Sequence, residues 1–176
     1  MDTIRIRLAR PEDAPRLQAL RLAFFQGQIL MGLLDVPEDV AAHVTKGTPG
    51  ILASLRARLY LAEDTAGQLA GYIYTMIKLI PGVRQSSIGS IEEMMVCAER
   101  RGTGAADTLL QTALNDLRAR DGTRIQLRVL AGNPRGRAFW QRNGFVENLA
   151  VLEYPFPASP PASPPASPEA SPEAKA

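Results

Sequence analysis

The sequence predicts a single α/β domain in which strands and helices follow one another along the chain. Apolar and charged residues alternate in several short runs, which is the period of half-buried strands. Longer runs carry apolar residues at helical spacing, and glycine, proline or aspartate separates the runs. The 176 residues, less a repetitive C-terminal end, have the usual length of one domain. We therefore expect one core and one catalytic or binding unit.

The first third of the chain is predicted to form a strand followed by helices. Apolar residues alternate with arginines over residues 3–9, which predicts a strand. Acidic residues then precede an apolar stripe from Leu17 to Phe24, as at the start of a helix. Asp35 is the expected start of a second helix, and a short third helix around residues 51–56 is left open.

The rest of the domain alternates between the two kinds of element. Turn residues 64–67 separate two β-rich runs and predict a hairpin, and residues 87–97 predict a further strand. The helices and strands expected after them are a leucine-striped helix closed by Gly122, a strand over 124–130, a helix from Asn133 to Asn143 and a final strand over 146–156.

The C-terminal end is a four-residue repeat of proline, alanine and serine that begins at Pro157. It contains no large apolar side chain, so it predicts a disordered, partly polyproline-like tail. An inert extension or expression artefact is favoured over a docking segment. We place the domain at residues 1–156 and the tail at residues 157–176.

Composition excludes several classes of function. Basic residues outnumber acidic residues by only two and are scattered, which argues against nucleic-acid binding. The single cysteine, Cys97, excludes an intrachain disulfide and fits a cytoplasmic setting. No run approaches the ~20 apolar residues of a membrane span, so neither membrane insertion nor secretion is expected.

A glycine loop between a strand and a helix is predicted to bind phosphate groups. The strand over 91–96 leads into small residues whose N–H groups can approach an anion, and the positive end of the next helix adds to the attraction. A dinucleotide fingerprint would need glycine where Asp107 stands, and a P-loop would need Gly-Lys-Ser/Thr. Both common nucleotide fingerprints are therefore missing.

The same segment resembles motif A of the GNAT acetyltransferase superfamily, Gln/Arg-x-x-Gly-x-Gly/Ala. In that family the N–H groups of the loop hold the pyrophosphate of coenzyme A. The resemblance assigns this role to Arg101, Gly102, Thr103, Gly104, Ala105 and Ala106. It also makes residues 91–96 the cofactor strand, in which backbone groups of Met94 and Val96 would bond the pantetheine amides and Met95 completes the expected set.

A second segment, residues 133–145, resembles GNAT motif B. There an asparagine begins a helix and an aromatic residue lies four positions before Gly-Phe. The resemblance places Asn133, Arg137 and Trp140 on the cofactor side. A plain helix N-cap for Asn133 and plain core packing for the aromatic residues are the alternatives.

The resemblance implies a GNAT fold with a mixed, mostly antiparallel central sheet, flanked by helices and splayed around the cofactor between residues 92–96 and 125–130. It implies acetyl-CoA as co-substrate, no metal, and direct attack of a primary amine on the thioester. Where the family often has a tyrosine acid, this chain has Trp140, which cannot supply a proton. Tyr72, Tyr74, Tyr154 and water are the alternative donors, and a structural role is favoured for each tyrosine.

Glu92 and Glu93 are the candidate catalytic carboxylates. Adjacent strand residues point to opposite faces, so only one is expected to face the cleft, where it could take a proton from the acceptor ammonium. Glu92 matches the position at which polyamine acetyltransferases of this superfamily carry a glutamate, so it ranks first. Two solvated edge charges are the alternative. His43 and Cys97 are interpreted as packing residues.

The sequence leaves the acceptor and the assembly open. Residues 24–58, which should shape the acceptor pocket, contain no recognisable motif, so polyamine, aminoglycoside, amino acid and protein N-terminus all remain. The expected acceptor is a small-molecule or peptide amine. The sequence does not decide the oligomeric state, for which a homodimer is one alternative. The rival functions are a non-catalytic GNAT-like acyl-CoA sensor or interaction module and a nucleotide-binding α/β module.

Overall fold

The computed structural model describes residues 4–32, 37–79, 82, 87–120, 122 and 124–152. Within these residues five strands form one sheet in sequence order. They are β1 (Arg5–Leu8), β2 (Ala57–Glu63), β3 (Leu69–Leu79), β4 (Ser87–Val96) and β5 (Arg124–Leu127). The first three neighbouring pairs are antiparallel, and β4 and β5 are parallel. The expected mixed, mostly antiparallel sheet is confirmed.

Four α-helices flank this sheet. They are α1 (Ala14–Leu30), α2 (Val40–Ala53), α3 (Ala105–Ala119) and α4 (Pro134–Arg142). A single helical turn precedes α1 at Pro11–Asp13, and another precedes the glycine loop at Ala98–Arg100.

The second helix begins at Val40, later than the start that the sequence predicted at Asp35. Asp39 is its N-cap and accepts a hydrogen bond from the N–H of Ala42 at 2.8 Å, which satisfies one of the free donors of the first turn. Asp35 lies outside the described residues. The separate helix around residues 51–56 is wrong, because residues 51–53 are the last turn of α2 and the chain leaves the helix at Ser54.

The two faces of the sheet carry separate cores. One core packs α3 against the sheet through the leucine stripe, with Leu109, Leu110 and Leu117 fully buried. The other packs α1 and α2 against the opposite face around Leu17 and Tyr72. Each helix layer therefore covers one face, and β4 lies in the sheet between the two layers.

The sheet opens between β4 and β5. These strands pair only over Ile88–Ile91 and Arg124–Leu127, whereas β4 continues to Val96. β5 is thus shorter than the predicted run of 124–130. The last residues of β4 pair with β3 on one side only, which is the expected splay.

The final strand predicted over 146–156 is wrong for its described part. Residues 146–152 form no strand, and Val146, Leu149 and Leu152 are 86%, 89% and 93% exposed. Alternating apolar residues form a strand only where another strand edge pairs with them, and residues 146–152 have no such partner in the part of the chain that the structure describes. Residues 153–156 and the predicted tail at 157–176 lie outside the described residues.

Candidate active site

The free edge of β4 is the first feature of the site. The N–H of Cys97 donates to the carbonyl of Ala70 in β3 at 2.8 Å, so the backbone groups of Cys97 face β3. Backbone groups alternate along a strand, so those of Met95 also face β3, and those of Met94 and Val96 face the other way, where β5 has ended. An extended molecule with amide groups could pair with this edge as an added strand would. Met95 is therefore not brought to the edge.

The glycine loop turns the chain at the start of α3 and leaves several backbone N–H groups without an acceptor among the described residues. Gly102 and Gly104 adopt φ values of 78° and 85°, a left-handed conformation that glycine tolerates best. Among the described residues, the N–H groups of Gly102, Thr103 and Gly104 have no protein acceptor. The first turn of α3 adds the unpaired N–H groups of a helix N-terminus, which attract negative charge.

The side chains of the predicted loop residues differ in exposure. Arg101 is exposed and has no carboxylate in ion-pair contact within the described ranges, so its guanidinium can meet a ligand. Ala105 is buried against the sheet, and Ala106 is half-buried behind it. The loop therefore presents backbone donors and one cation, with small side chains that leave the approach clear.

The start of α4 is held by its own asparagine. Asn133 accepts a hydrogen bond from the N–H of Gly136 at 2.8 Å, and a side chain at Gly136 would collide with Asn133. The structure thus shows the N-cap interaction for Asn133. Arg137 makes an ion pair with Glu147 at 2.5 Å across the end of the same segment.

Trp140 packs between two aromatic rings at the other end of α4. Its ring makes edge contacts with Phe139 and Phe145 at centroid distances of 4.9 and 5.4 Å. The neighbouring Asn143 and Arg142 approach the Asp107 carboxylate in the first turn of α3 at 3.5 and 3.4 Å. The structure therefore brings the two motif segments together.

A β-bulge at Glu92 places both glutamates on one face of the sheet. Tyr74 pairs with Glu93 and Thr75 pairs with Ile91, so Glu92 has no partner on β3. Glu93 contacts Tyr72 and Glu92 contacts Lys78, two residues of β3 that share a face by alternation. The expectation of opposite faces is wrong, because the extra residue of a bulge interrupts the alternation.

Glu93 is engaged in a buried network. Arg21 of α1 donates to both of its carboxylate oxygens at 2.8 and 2.5 Å, and the Tyr72 hydroxyl donates at 2.8 Å. Arg21 also donates to Thr48 of α2, which in turn donates to the Val44 carbonyl. A bidentate, fully buried partner leaves Glu93 little capacity to accept a proton from a ligand.

Glu92 is the more accessible carboxylate. Its side chain is 25% exposed, and the Lys78 ammonium lies 2.5 Å from Oε1. The Oε1 atom itself is buried and makes no hydrogen bond of acceptable geometry among the described residues, so its contact with the half-exposed lysine is a simple ion pair. Glu92 is the first residue of β4 beyond the stretch that pairs with β5, and its side chain keeps partial contact with solvent.

Two of the three candidate tyrosine donors are described, and both are buried. Burial, with Glu93 beside it, raises the pKa of Tyr72 well above its ordinary value, and the hydroxyl is already committed to Glu93. Burial raises the pKa of Tyr74 to about 12, helped by the charges of Glu92 and Glu93. Tyr154 lies outside the described residues.

Sequence reasoning missed Arg21, Thr48 and Lys78. The signal for Arg21 was present, because this charged residue stands four positions after Leu17 on the apolar face of α1. A cation on a buried helical stripe requires a buried partner. No comparable pattern pointed to Lys78, since its contact with Glu92 depends on the bulge.

Cys97 and His43 take no part in this arrangement. Burial is the main cause that raises the pKa of the Cys97 thiol, and its Sγ contacts the Leu69 carbonyl. His43 packs edge-on against Phe25 at 5.5 Å. Over the described ranges, no group of three or more His, Cys, Asp or Glu side chains could hold a metal ion. Nor is any helix there long and apolar enough to cross a membrane.

Several solved structures share this architecture. The aminoglycoside N-acetyltransferase AAC(6')-Iy in complex with CoA has 17% identity and a TM-score of 0.72, over 89% of this chain and 96% of that one. A predicted acetyltransferase with acetyl-CoA from Clostridium acetobutylicum has 22% identity and a TM-score of 0.71, over 87% and 96%. A ribosomal-protein-alanine N-acetyltransferase from Brucella melitensis biovar Abortus has 18% identity and a TM-score of 0.66, over 88% and 100%.

At these identities the neighbours show the fold, and the sequence itself shows the family. No curated protein sequence matches the chain. The model of the Acetyltransferase (GNAT) family matches residues 35–145, which include β4, the glycine loop and the whole of α4. This chain belongs to the GNAT acetyltransferase family.

Proposed function

We propose that this protein transfers the acetyl group of acetyl-CoA to a primary amine. The observation that carries the proposal is the free backbone edge of β4, which runs from the glycine loop to Glu92. A phosphate cradle stands at one end of this edge and an accessible carboxylate at the other. That order suits a long cofactor whose charged end is bound and whose reactive end meets a proton acceptor.

The residues of the cleft fit coenzyme A. The N–H groups of residues 102–106 and the Arg101 guanidinium would hold the pyrophosphate, and the edge at Met94 and Val96 would pair with the pantetheine amides. Asn133, Arg137 and Trp140 of the α4 segment would form the opposite wall. When bound, acetyl-CoA supplies the activated thioester.

Glu92 is the residue we assign to proton transfer. An amine reaches the site as an ammonium ion at neutral pH and must lose a proton before it can attack a carbonyl carbon. Glu92 would take that proton directly or through a water molecule. Glu93 would act instead by fixing Arg21 and the bulge, so we place it outside the proton transfer.

No side-chain acid is needed for the departing thiolate. A thiol of this kind has a pKa near ~8.5, whereas burial raises the pKa of Tyr74 to about 12. Proton transfer from Tyr74 to the thiolate would therefore run uphill. A thiolate with a pKa in this range can leave as the anion and take up a proton from bulk solvent afterwards, which allows tryptophan at position 140, where much of the family has tyrosine.

The acceptor face limits which amines can bind. Two of the structural neighbours are an aminoglycoside N-acetyltransferase and a ribosomal-protein-alanine N-acetyltransferase, so their acceptors are of different classes. Here an incoming ammonium would have to displace Lys78 from Glu92, since both cations would use the same carboxylate. We propose that the acceptor is a small-molecule or peptide primary amine and that the reaction takes place in the cytoplasm. The proposal is compatible with a homodimer.

A thiol-release assay with acetyl-CoA and a panel of polyamines, aminoglycosides, amino acids and peptides tests this function. We expect amine-dependent release that Gly104→Asp abolishes. Binding of acetyl-CoA without release for any amine would instead support a non-catalytic acyl-CoA module, for which Trp140 at the acid position is the specific argument.

A further inference from the structure

An ion pair joins the turn between β2 and β3 to the residue that precedes the glycine loop. Asp64 is 8% exposed and stands at the first position of this turn. One carboxylate oxygen accepts hydrogen bonds from the N–H groups of Ala66 and Gln68 at 3.0 and 2.8 Å. The other accepts from the guanidinium of Arg100, which immediately precedes the loop.

The backbone of Arg100 makes hydrogen bonds to the glycine loop and to the end of β4. Its carbonyl accepts a hydrogen bond from the Thr103 hydroxyl at 2.7 Å, which closes the first turn of the loop. Its N–H donates to the Cys97 carbonyl at 3.0 Å, at the end of β4. The loop segment that presents the free N–H groups is thus attached at its base to a different hairpin of the sheet.

The two adjacent arginines, Arg100 and Arg101, therefore have different surroundings. Arg100 is directed to Asp64, whereas Arg101 is exposed without an ion pair in the described residues. The carboxylate of Asp64 balances the charge of Arg100 and fixes its direction. This leaves Arg101 and the backbone donors to face a ligand.

We propose that Asp64 is a positioning residue for pyrophosphate binding, acting through Arg100 to hold the glycine loop in its receptive conformation. The inference rests on the proposed binding of coenzyme A at this loop. A preformed loop does not have to be ordered when the ligand arrives, and preorganisation of this kind raises affinity. Over the described ranges, the contact of Asp64 with the loop runs through Arg100, so Asp64 should affect the pyrophosphate end of the ligand alone.

Asp64→Asn tests the proposal, because asparagine keeps the oxygen that the turn N–H groups use and removes the charge that holds Arg100. Calorimetry should show about fivefold or more weaker binding of coenzyme A. Binding of pantetheine, which lacks the pyrophosphate, should be unchanged in an NMR titration. Asp64→Glu should recover part of the loss, and the effects of Asp64→Asn and Arg100→Gln should be less than additive when the two are combined.

Glu63→Gln is the matched control. Glu63 precedes Asp64 in the chain and makes ion pairs that are also shielded from solvent, but with Arg7 and Arg16, which are not residues of the glycine loop. This variant should lose comparable stability and keep the parent affinity for coenzyme A. If Asp64→Asn does not fold, Arg100→Gln alone should show the same selective loss.

Three results would overturn the inference. Unchanged or tighter coenzyme A binding in Asp64→Asn would show that the ion pair does not hold the loop. Equal weakening of coenzyme A and pantetheine would show a general structural role. Failure of the parent protein to bind coenzyme A would remove the proposed function as well, whereas the first two results leave that function standing.

Discussion

Glu92 and Glu93 are neighbours in the sequence, but their carboxylates have different surroundings. Glu93 is 7% exposed and bound by Arg21 and Tyr72, whereas Glu92 makes an ion pair with the half-exposed Lys78. The bulge that puts both on one face also separates their tasks. Glu93 stabilises the contact between α1 and β4, and Glu92 is the carboxylate that the proposed function assigns to the acceptor.

Glu93→Gln should destabilise the protein strongly. It leaves the buried Arg21 charge without its ionic partner, and such losses cost about 3–5 kcal/mol of unfolding free energy. Urea unfolding checks the value. The double variant Arg21→Met/Glu93→Gln should recover part of the stability, and a single variant as stable as the parent would contradict the buried pair.

Lys78→Met should improve the binding of a cationic acceptor. Lys78 is half-exposed, so its ion pair with Glu92 is worth at most about 1 kcal/mol, and its removal should lower the acceptor KM by up to about fivefold. The affinity for coenzyme A should not change. A raised acceptor KM in steady-state assays would show that Lys78 contacts the acceptor favourably instead of competing with it.

At the scale of elements, the proposed function assigns ligand binding to the glycine loop and α3 together. Left-handed glycines turn the chain so that N–H groups and the helix N-terminus face the same side. The leucine stripe of α3 anchors this segment in the core, while Asp64 fastens its base. The loop can therefore be specific for an anion without any buried basic side chain.

Gly104→Asp should abolish coenzyme A binding, because a carboxylate in the cradle repels the pyrophosphate. Gly104→Ala is the control, since a methyl group there meets no atom within 4 Å and costs only the strain of a φ of 85°. Alanine should reduce affinity modestly, and aspartate should remove it in calorimetric titrations. Equal affinities for aspartate and alanine would contradict a pyrophosphate site at this loop.

At the scale of the whole molecule, the sequence predicted the sheet, the glycine loop and the helix of the second motif, because periodicity and local turn chemistry determine these elements. The bulge could not be predicted, because it is an extra residue in β4 relative to β3. The sequence of one strand does not contain its register with the other. The position of Arg21 against Glu93 joins residues 72 positions apart and needed the packing of α1 on the sheet. The strand predicted over 146–156 does not form in its described part, residues 146–152, for the related reason that a strand requires an available edge.

Turnover of Glu92→Gln tests the central claim most directly, measured with saturating acceptor and with coenzyme A affinity determined on the same sample. The account predicts that the amine-dependent rate falls by ~100-fold or more while coenzyme A affinity stays at the parent value, because glutamine cannot take the proton but leaves the cofactor cleft intact. Parent turnover in a correctly folded Glu92→Gln protein would contradict the assignment of proton transfer to this carboxylate.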